Sequence, residues 1–226
     1  MKLLHTLMLS CALIGAGFVS NVGRADRIQV HYESIRSDML QSVVRIEVES
    51  KDGKRVSGSG VCYEDHKILT AGHLFDYGQD GNITVYLNLR KFGAQYMVGG
   101  KLLKIDRYKD IAIIESDEKL PFTSEIDTSN SIQVGDPILV VGAPLGFTPS
   151  YTSPLSYLAT KGEPDRVPED TMPMWSAAIW STHGNSGCPV FDANTGKVIG
   201  IVSRGPDTDH GLTFFVSTVS AKKWFK

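Results

Sequence analysis

Residues 184–190 read Gly184-Asn185-Ser186-Gly187-Cys188-Pro189-Val190, so that one serine lies in a glycine-flanked turn. Glycine lets a backbone turn tightly and expose its N–H groups. A serine hydroxyl is a weak nucleophile unless a base lies within hydrogen-bond distance, and a tetrahedral intermediate needs donors for its oxyanion. Ser186 is therefore a candidate nucleophile, and the main-chain N–H groups of Gly184 and Ser186 are candidate oxyanion donors. Taken alone, the stretch is equally typical of an ordinary turn.

Two segments earlier in the chain supply side chains that complete such a site. An apolar run ends in Thr70-Ala71-Gly72-His73, and a second run, Asp110-Ile111-Ala112-Ile113-Ile114, begins with a carboxylate. Each is weak evidence alone, since a single histidine or aspartate is more often structural. Together, His73, Asp110 and Ser186 follow one another in one of the known chain orders of the Ser-His-Asp triad.

The three segments resemble the signature segments of the chymotrypsin-like (trypsin-fold) serine proteases, and in detail the bacterial HtrA/Deg branch. Residues 135–146, which read Gly-Asp-Pro-Ile-Leu-Val-Val-Gly-Ala-Pro-Leu-Gly, are similar to the strand and turn that open the second barrel in that branch. Residues 198–205 and 210–212 resemble two walls of the substrate cleft. The resemblance covers roughly residues 42–226.

The resemblance implies a serine endopeptidase with a role for each residue of the triad. Ser186 attacks the scissile carbonyl, His73 takes its proton and returns it to the leaving amine, and Asp110 orients His73. Ser203, by the same resemblance, donates a hydrogen bond to Asp110. Proteins and peptides are then the expected substrates, and neither a cofactor nor a metal ion is expected.

The resemblance also assigns the residues that contact the substrate, namely Trp180, Ser181, His183, Ser203, Arg204, Gly205 and Gly211. The base of the specificity pocket falls near Trp180 or Ser181. Since neither is acidic, we expect small or medium apolar side chains to be preferred over Lys or Arg. Burial of Trp180 in the core is the alternative for that residue, and His183 is either a substrate contact or solvated.

The apolar pattern of the chain favours an all-β fold. Residues 43–48 and 83–87 largely alternate between apolar and polar, while three short runs are wholly apolar, at 111–114, 138–141 and 198–202. Both patterns predict strands, and clusters of Gly, Asp and Asn separate them. Strands at this spacing predict an antiparallel sandwich or barrel. The resemblance implies two antiparallel β-barrels followed by a short C-terminal helix.

Five segments describe the predicted organisation of the chain. Apolar residues at helical spacing precede the first strand, and a polar connection divides the strands into two groups. We predict a signal peptide at 1–25, a helical segment at 26–41, an N-terminal barrel at 42–122, a linker at 123–134, and a C-terminal barrel with its helix at 135–226. The chain ends directly after this unit, so no PDZ domain is expected, and the oligomeric state stays open.

The first 25 residues predict export to the periplasm or secretion. Lys2, an apolar run at 7–19 and the small residues Gly23 and Ala25 within the exit Gly23-Arg24-Ala25 are typical of a secretory signal. The run is shorter than the roughly 20 residues needed to cross a bilayer, so no stable membrane span is expected. A buried N-terminal helix and lipidation at Cys11 are the alternatives.

The composition of the chain narrows the class of protein and its expected partners. The chain has 226 residues, 42% hydrophobic and 21% charged, with a formal net charge of −2, which is typical of a globular protein. It offers no basic face for nucleic acid, so no nucleic-acid partner is expected.

After the predicted signal peptide, two cysteines remain in the chain, Cys62 and Cys188, and they lack the C-x-x-C spacing of a zinc site. In an oxidising compartment they form either one disulfide or two buried free thiols.

Two other functions remain open at this stage. The first is a protease fold that has lost its activity and binds peptides or partner proteins. The second is an esterase built on the same fold. Every residue of the triad is present, which favours the endopeptidase.

Overall fold

The computed structural model describes most of the chain beyond the N-terminal region, and strands dominate it. The described residues are 37, 39–77, 81–91, 94–146, 151–152, 155–161, 174–179, 184–203 and 211–225. All of the strands lie within one unit, Asp38–Lys226.

Six of the described strands close into a first antiparallel barrel, in the order β1-β2-β3-β6-β5-β4. The alternation of β1 determines which face turns inward. Val44, Ile46 and Val48 are buried in the barrel, whereas Arg45 and Glu47 on the opposite face are only partly buried. The six strands are β1 Val43–Glu49, β2 Arg55–Glu64, β3 Lys67–Ala71, β4 Asn82–Lys91, β5 Ala94–Asp106 and β6 Ile111–Ser116.

A second ring of strands follows along the chain. Its order is β11-β12-β13-β10-β9-β7, pairing between β11 and β7 closes it, and β8 extends it at β7. Trp175 and Phe215 belong to its core, and their rings meet edge to face with centroids 6.0 Å apart. The strands are β7 Pro137–Gly142, β8 Tyr151–Thr152, β9 Ser156–Thr160, β10 Met174–Ala177, β11 Pro189–Asp192, β12 Val198–Val202 and β13 Thr213–Ser217.

This architecture confirms the predicted all-β fold of two antiparallel barrels. The predicted C-terminal helix is a 3₁₀ helix, Thr218–Trp224, which is irregular at Ala221. Two further short 3₁₀ helices follow β3 and β7, at Gly72–Phe75 and Pro144–Gly146. Residues 39–42 are helical, whereas the rest of the predicted helical segment and the predicted signal peptide lie outside the described residues.

The connection between the barrels is hydrogen-bonded to both of them. The N–H of Ser124 donates to the carbonyl of Cys62 on β2 at 2.8 Å. A few residues later the N–H of Asp127 donates to the carbonyl of Val198 on β12 at 2.8 Å, and the N–H of Val198 donates to the carbonyl of Glu125 at 2.9 Å. Because one short segment bonds to a strand of each barrel, it restricts the movement of one barrel against the other.

Cys62 and Cys188 are free and buried. Of the two alternatives that the sequence left open for them, the structure therefore has free thiols and not the disulfide. Successive side chains of a strand point to opposite faces, so Cys62 points away from the face of β2 that carries Ser59. Cys188 lies on the Ser59 side, since a Cβ added to Gly142 would lie 1.8 Å from its Sγ and 3.2 Å from the Ser59 Oγ. The two thiols therefore lie on opposite sides of β2.

We expect both thiols to be unreactive in the native protein. Burial raises the pKa of Cys62 and of Cys188 to about 12, and the thiolate is the reactive form. Iodoacetamide at mildly alkaline pH should leave both unmodified in the native state and alkylate both after unfolding without a reductant. Mass spectrometry of the two peptides measures this, and a disulfide-linked peptide pair from the unfolded sample would contradict the structure.

Candidate active site

Three side chains from distant parts of the chain meet between the two barrels. His73 lies in the 3₁₀ turn directly after β3, Asp110 directly before β6, and Ser186 in the loop before β11. Strands β3 and β6 are antiparallel neighbours, with Ala71 opposite Ile111. The end of one strand therefore lies beside the start of the other, and this pairing brings His73 to Asp110.

The hydrogen bonds form a continuous series from hydroxyl to carboxylate. The Oγ of Ser186 lies 2.8 Å from the Nε2 of His73. The Nδ1 of His73 lies 3.0 Å from Oδ1 and 2.9 Å from Oδ2 of Asp110, and the backbone N–H of His73 donates to Oδ1 at 2.7 Å. Because an ionised carboxylate only accepts, Nδ1 carries the ring proton and Nε2 is free to accept the proton of Ser186.

Asp110 is a buried carboxylate, with only 2% of the residue exposed. The hydroxyl of Ser203 also donates to its Oδ2. Burial alone acts to raise the pKa of Asp110, but the hydrogen bonds and charge of His73 and the bond from Ser203 outweigh it and hold the pKa below the ordinary 3.8. The carboxyl group is therefore ionised at neutral pH.

The backbone of Asp110 is in the left-handed region, with a φ of 52°. Such a conformation in a residue other than glycine costs about 1–3 kcal/mol and persists where the surroundings over-determine it. Here the bonds of the carboxylate to the ring and backbone of His73 and to Ser203 hold the residue in place.

Ser59 on β2 anchors the loop that carries Ser186. Its N–H donates to the carbonyl of Ser186 at 2.8 Å, and its hydroxyl donates to the carbonyl of Gly184 at 2.9 Å. The same hydroxyl accepts from the N–H of Ala143 at 2.9 Å. This role of Ser59 was not predicted from the sequence. The sequence pattern that could have indicated it is the run of alternating serine and glycine at residues 57–60, since glycine inside a strand often marks close approach of another backbone.

Gly187 has room for no side chain. Its φ is 83°, and an added Cβ would lie 2.0 Å from the carbonyl oxygen of Ser59 and 2.4 Å from the Oγ1 of Thr70. Its N–H donates to the carbonyl of Val202 at 2.8 Å. The residue after Ser186 is thus fixed between the two barrels, so backbone packing determines where the hydroxyl of Ser186 lies.

The backbone N–H groups of Gly184 and Ser186 are candidate donors to a ligand. Within the described part of the chain, the N–H of Gly184 and that of Ser186 donate to no protein acceptor, whereas the N–H of Cys188 donates to the carbonyl of Asn185 at 2.9 Å. Gly184 and Ser186 both line an open groove. They are the donors that sequence analysis assigned to an oxyanion.

The groove has a volume of about 660 Å³, and His73 and Ser186 both line it. The first barrel contributes Arg45, Arg55 and Leu74 to its walls. The two arginines were not predicted to belong to a site, because charged residues that alternate along a strand are typical of a solvated face.

Most of the predicted substrate contacts, Trp180, Ser181, His183, Arg204 and Gly205, lie outside the described residues. Of the others, Ser203 follows β12 and bonds to Asp110, and Gly211 precedes β13 with a φ of 64°. The predicted preference for apolar side chains therefore stays a prediction. The described residues contain no group of three or more His, Cys, Asp or Glu side chains arranged to hold a metal ion.

Comparison with known families gives an independent assignment. Residues 58–201 match the model of the trypsin-like peptidase domain, and this range includes His73, Asp110 and Ser186. Together with the two barrels, the match defines a chymotrypsin-like serine peptidase domain. The chain belongs to the trypsin-like peptidase family.

Individual relatives confirm the resemblance to the HtrA/Deg branch. The chain is 34% identical over 149 residues to a probable periplasmic serine endoprotease DegP-like of Pseudomonas savastanoi pv. phaseolicola, which covers 65% of this chain and 29% of that protein. It is 28% identical over 218 residues to a serine protease HtrA-like of Staphylococcus epidermidis, covering 84% of this chain and 35% of that protein. The chain thus spans about a third of the length of these two relatives.

Solved structures of the same branch share the fold. The crystal structure of Deg5 superposes with a TM-score of 0.70 at 19% identity, covering 86% of this chain and 92% of that one. The HtrA-type protease AlgW with a tripeptide superposes with a TM-score of 0.69 at 22% identity, covering 85% of this chain and 61% of that one.

Replacement of Ser59 by alanine should both destabilise the protein and displace Ser186. The carbonyl of Gly184 and the N–H of Ala143 lose their partner, and each unsatisfied buried group costs about 1–3 kcal/mol. We expect the free energy of unfolding to fall by about 2–4 kcal/mol and Ser186 to react more slowly with a fluorophosphonate probe. Urea unfolding and the labelling rate measure the two effects.

Ser42→Ala is the matched control for this variant. It removes a buried hydroxyl that donates to the carbonyl of Met39 at 3.0 Å and lies 2.7 Å from the hydroxyl of Ser124, and neither partner belongs to the candidate site. It should lower stability without changing the labelling rate of the folded protein. An equal slowing of labelling in both variants would show that Ser59 has no particular role in holding Ser186.

Asp110 should stabilise the fold in a pH-dependent manner. A carboxyl group whose pKa is lower in the folded than in the unfolded state stabilises the fold above the unfolded pKa, and this contribution is lost as pH falls through the folded value. The difference in free energy of unfolding between wild type and Asp110→Asn should therefore be largest above the ordinary pKa of 3.8 and shrink below it. Urea unfolding across this range measures the difference, and a constant value would contradict the lowered pKa.

Proposed function

We propose that the protein is a serine endopeptidase that hydrolyses peptide bonds through His73, Asp110 and Ser186, with an oxyanion hole formed by the N–H groups of Gly184 and Ser186. The observation that carries this proposal is the 2.8 Å contact between the Ser186 Oγ and the His73 Nε2. It occurs in a member of the trypsin-like peptidase family. A hydroxyl with a base at this distance is an activated nucleophile.

Acylation is the first half of the proposed reaction. The Oγ of Ser186 forms a bond to the scissile carbonyl carbon while its proton moves to Nε2 of His73. Asp110 stabilises the imidazolium through Nδ1. The C–N bond then breaks, the proton passes from His73 to the leaving amine, and the acyl group remains on Ser186.

Deacylation repeats these steps with water. His73 takes a proton from the water as its oxygen attacks the acyl carbon, and returns that proton to the Oγ of Ser186 as the ester bond breaks. The product is a carboxylic acid. In both halves the oxyanion accepts from Gly184 and Ser186, and the loss of one such donor costs enzymes about 2.7–4 kcal/mol. Because both donors are backbone groups, the anchoring of their loop by Ser59 matters more than any side chain at the hole.

Proteins or peptides are the proposed substrates, and export is the proposed location. A relative named as periplasmic and the signal-like first 25 residues both support export. Among the described residues no helix has the length and apolar character needed to cross a membrane. The proposed chemistry uses only groups of this chain and water.

The activity can be tested with unfolded casein and the purified protein. Wild type should hydrolyse casein, Ser186→Ala should lower kcat by about 10⁶-fold, and Asp110→Asn by about 10⁴-fold, since the amide no longer stabilises the correct tautomer of His73. A fluorophosphonate should label the wild type, and Ser186→Ala should not be labelled because it lacks the hydroxyl.

The alternative is a protease-fold module that binds peptides without cleaving them. It predicts no hydrolysis and no labelling in the wild type, together with equal binding of casein peptides by wild type and Ser186→Ala. That set of results would replace the proposed endopeptidase with the binding module.

A further inference from the structure

Two residues that line the groove beside Ser186 each carry a buried polar atom for which the described residues provide no hydrogen-bond partner. Within the described part of the chain, the Nε of Arg45 and the hydroxyl of Ser57 are buried and make no hydrogen bond, and both residues line the groove. Buried polar groups of native proteins are rarely unsatisfied, and each exception calls for an explanation. A ligand that enters the groove and accepts hydrogen bonds from Arg45 and Ser57 provides one.

The charges around the groove favour an anionic ligand. Arg45 lies 3.6 Å from Glu47, and Arg55 lies 3.8 Å from Glu47 and 3.1 Å from Glu49. The contacts to Glu47 are longer than hydrogen bonds, and a guanidinium has five N–H donors, so donors remain for a further anion. Both arginines line the groove, whereas Glu47 and Glu49 do not. The guanidinium of Arg45 stacks 3.6 Å from the ring centroid of Tyr86, which fixes its orientation.

The position of His73 indicates which part of a substrate reaches the groove. In the proposed reaction His73 gives its proton to the leaving amine, so the residues that follow the scissile bond lie on the His73 side of Ser186. His73 and the adjacent Leu74 both line the groove. The groove therefore receives the substrate residues after the scissile bond.

We infer that Arg45, Arg55 and Ser57 form a subsite for the carboxylate of a glutamate or aspartate at the first or second position after the scissile bond. This inference rests on the proposed function, because it defines the substrate class of the same site. A guanidinium binds a carboxylate through two parallel hydrogen bonds. Val56 and Leu74 line the groove as well, and they suit the longer aliphatic stem of glutamate.

A series of internally quenched peptides tests the subsite. The peptides differ only in Glu, Gln or Lys at each of the two positions after the scissile bond, with an amidated C-terminus. For the wild type, kcat/KM should be about tenfold higher for Glu than for Gln, as expected for one charge-assisted hydrogen bond, and lowest for Lys. A matched set of peptides with a free C-terminus shows whether the groove binds the carboxylate of a side chain or the carboxylate at the end of the peptide.

Variants connect the preference to the groove. In the double variant with Arg45→Gln and Arg55→Gln, kcat/KM for the Glu peptide divided by kcat/KM for the Gln peptide should fall to near unity. In Glu47→Gln this ratio should rise, because the Glu47 carboxylate no longer competes with the substrate for the arginines. Arg55→Gln alone changes a side chain that is 64% exposed, and should lower the ratio about threefold even if the double variant fails to fold. Lys119→Gln is the control, since it removes an exposed cation that pairs with Asp65 at 2.8 Å outside the groove.

The outcomes separate this inference from the proposed function. Equal rates for Glu and Gln in a wild type that cleaves the peptides would overturn the subsite and leave the endopeptidase intact. A preference seen only with a free C-terminus would overturn the side-chain assignment. A loss of preference in Lys119→Gln would also overturn it, whereas a wild type that cleaves no peptide and no casein would overturn the proposed function itself.

Discussion

The site depends on the contact between the Ser186 loop and strand β2 of the first barrel. Ser59 bonds to the loop through its N–H and its hydroxyl, and Gly187 lies so close to the Ser59 carbonyl that a Cβ would approach it to 2.0 Å. His73 comes from the first barrel and Ser186 from the second, so this contact sets their separation. A shift of one barrel against the other would break the bonds of Ser59 and separate the hydroxyl from its base. The contacts that stabilise the barrel interface are therefore the same contacts that determine the geometry of the site.

Asp110 adds a second constraint, which is electrostatic. A buried carboxylate is costly unless donors surround it, and here His73 supplies a ring and a backbone donor while Ser203 supplies a third. Those same bonds hold the left-handed backbone of Asp110. The arrangement is thus cooperative, because the residue that orients His73 is itself kept ionised and in place by His73.

The sequence predicted the fold class and grouped His73, Asp110 and Ser186, because strand periodicity and short motifs are local features. The role of Ser59 could not be predicted in this way. The two groups bonded to its hydroxyl lie 125 and 84 residues away along the chain, and only the packing of the barrels brings them together. Whether Cys62 forms a disulfide could not be predicted for a similar reason, because the register of the folded strand determines on which face of β2 the thiol lies.

The position of Arg45 in the groove was not predicted, because Arg45 alternates with buried residues along β1 as a solvent-facing strand residue does. In the fold, β1 is paired with β2 on one side and with β4 on the other, so its backbone is held along its length. A charged side chain on such a strand has far less freedom than one on a loop. The subsite proposed for Arg45 and Arg55 would therefore lie on a rigid part of the domain, and a substrate would have to adapt to it.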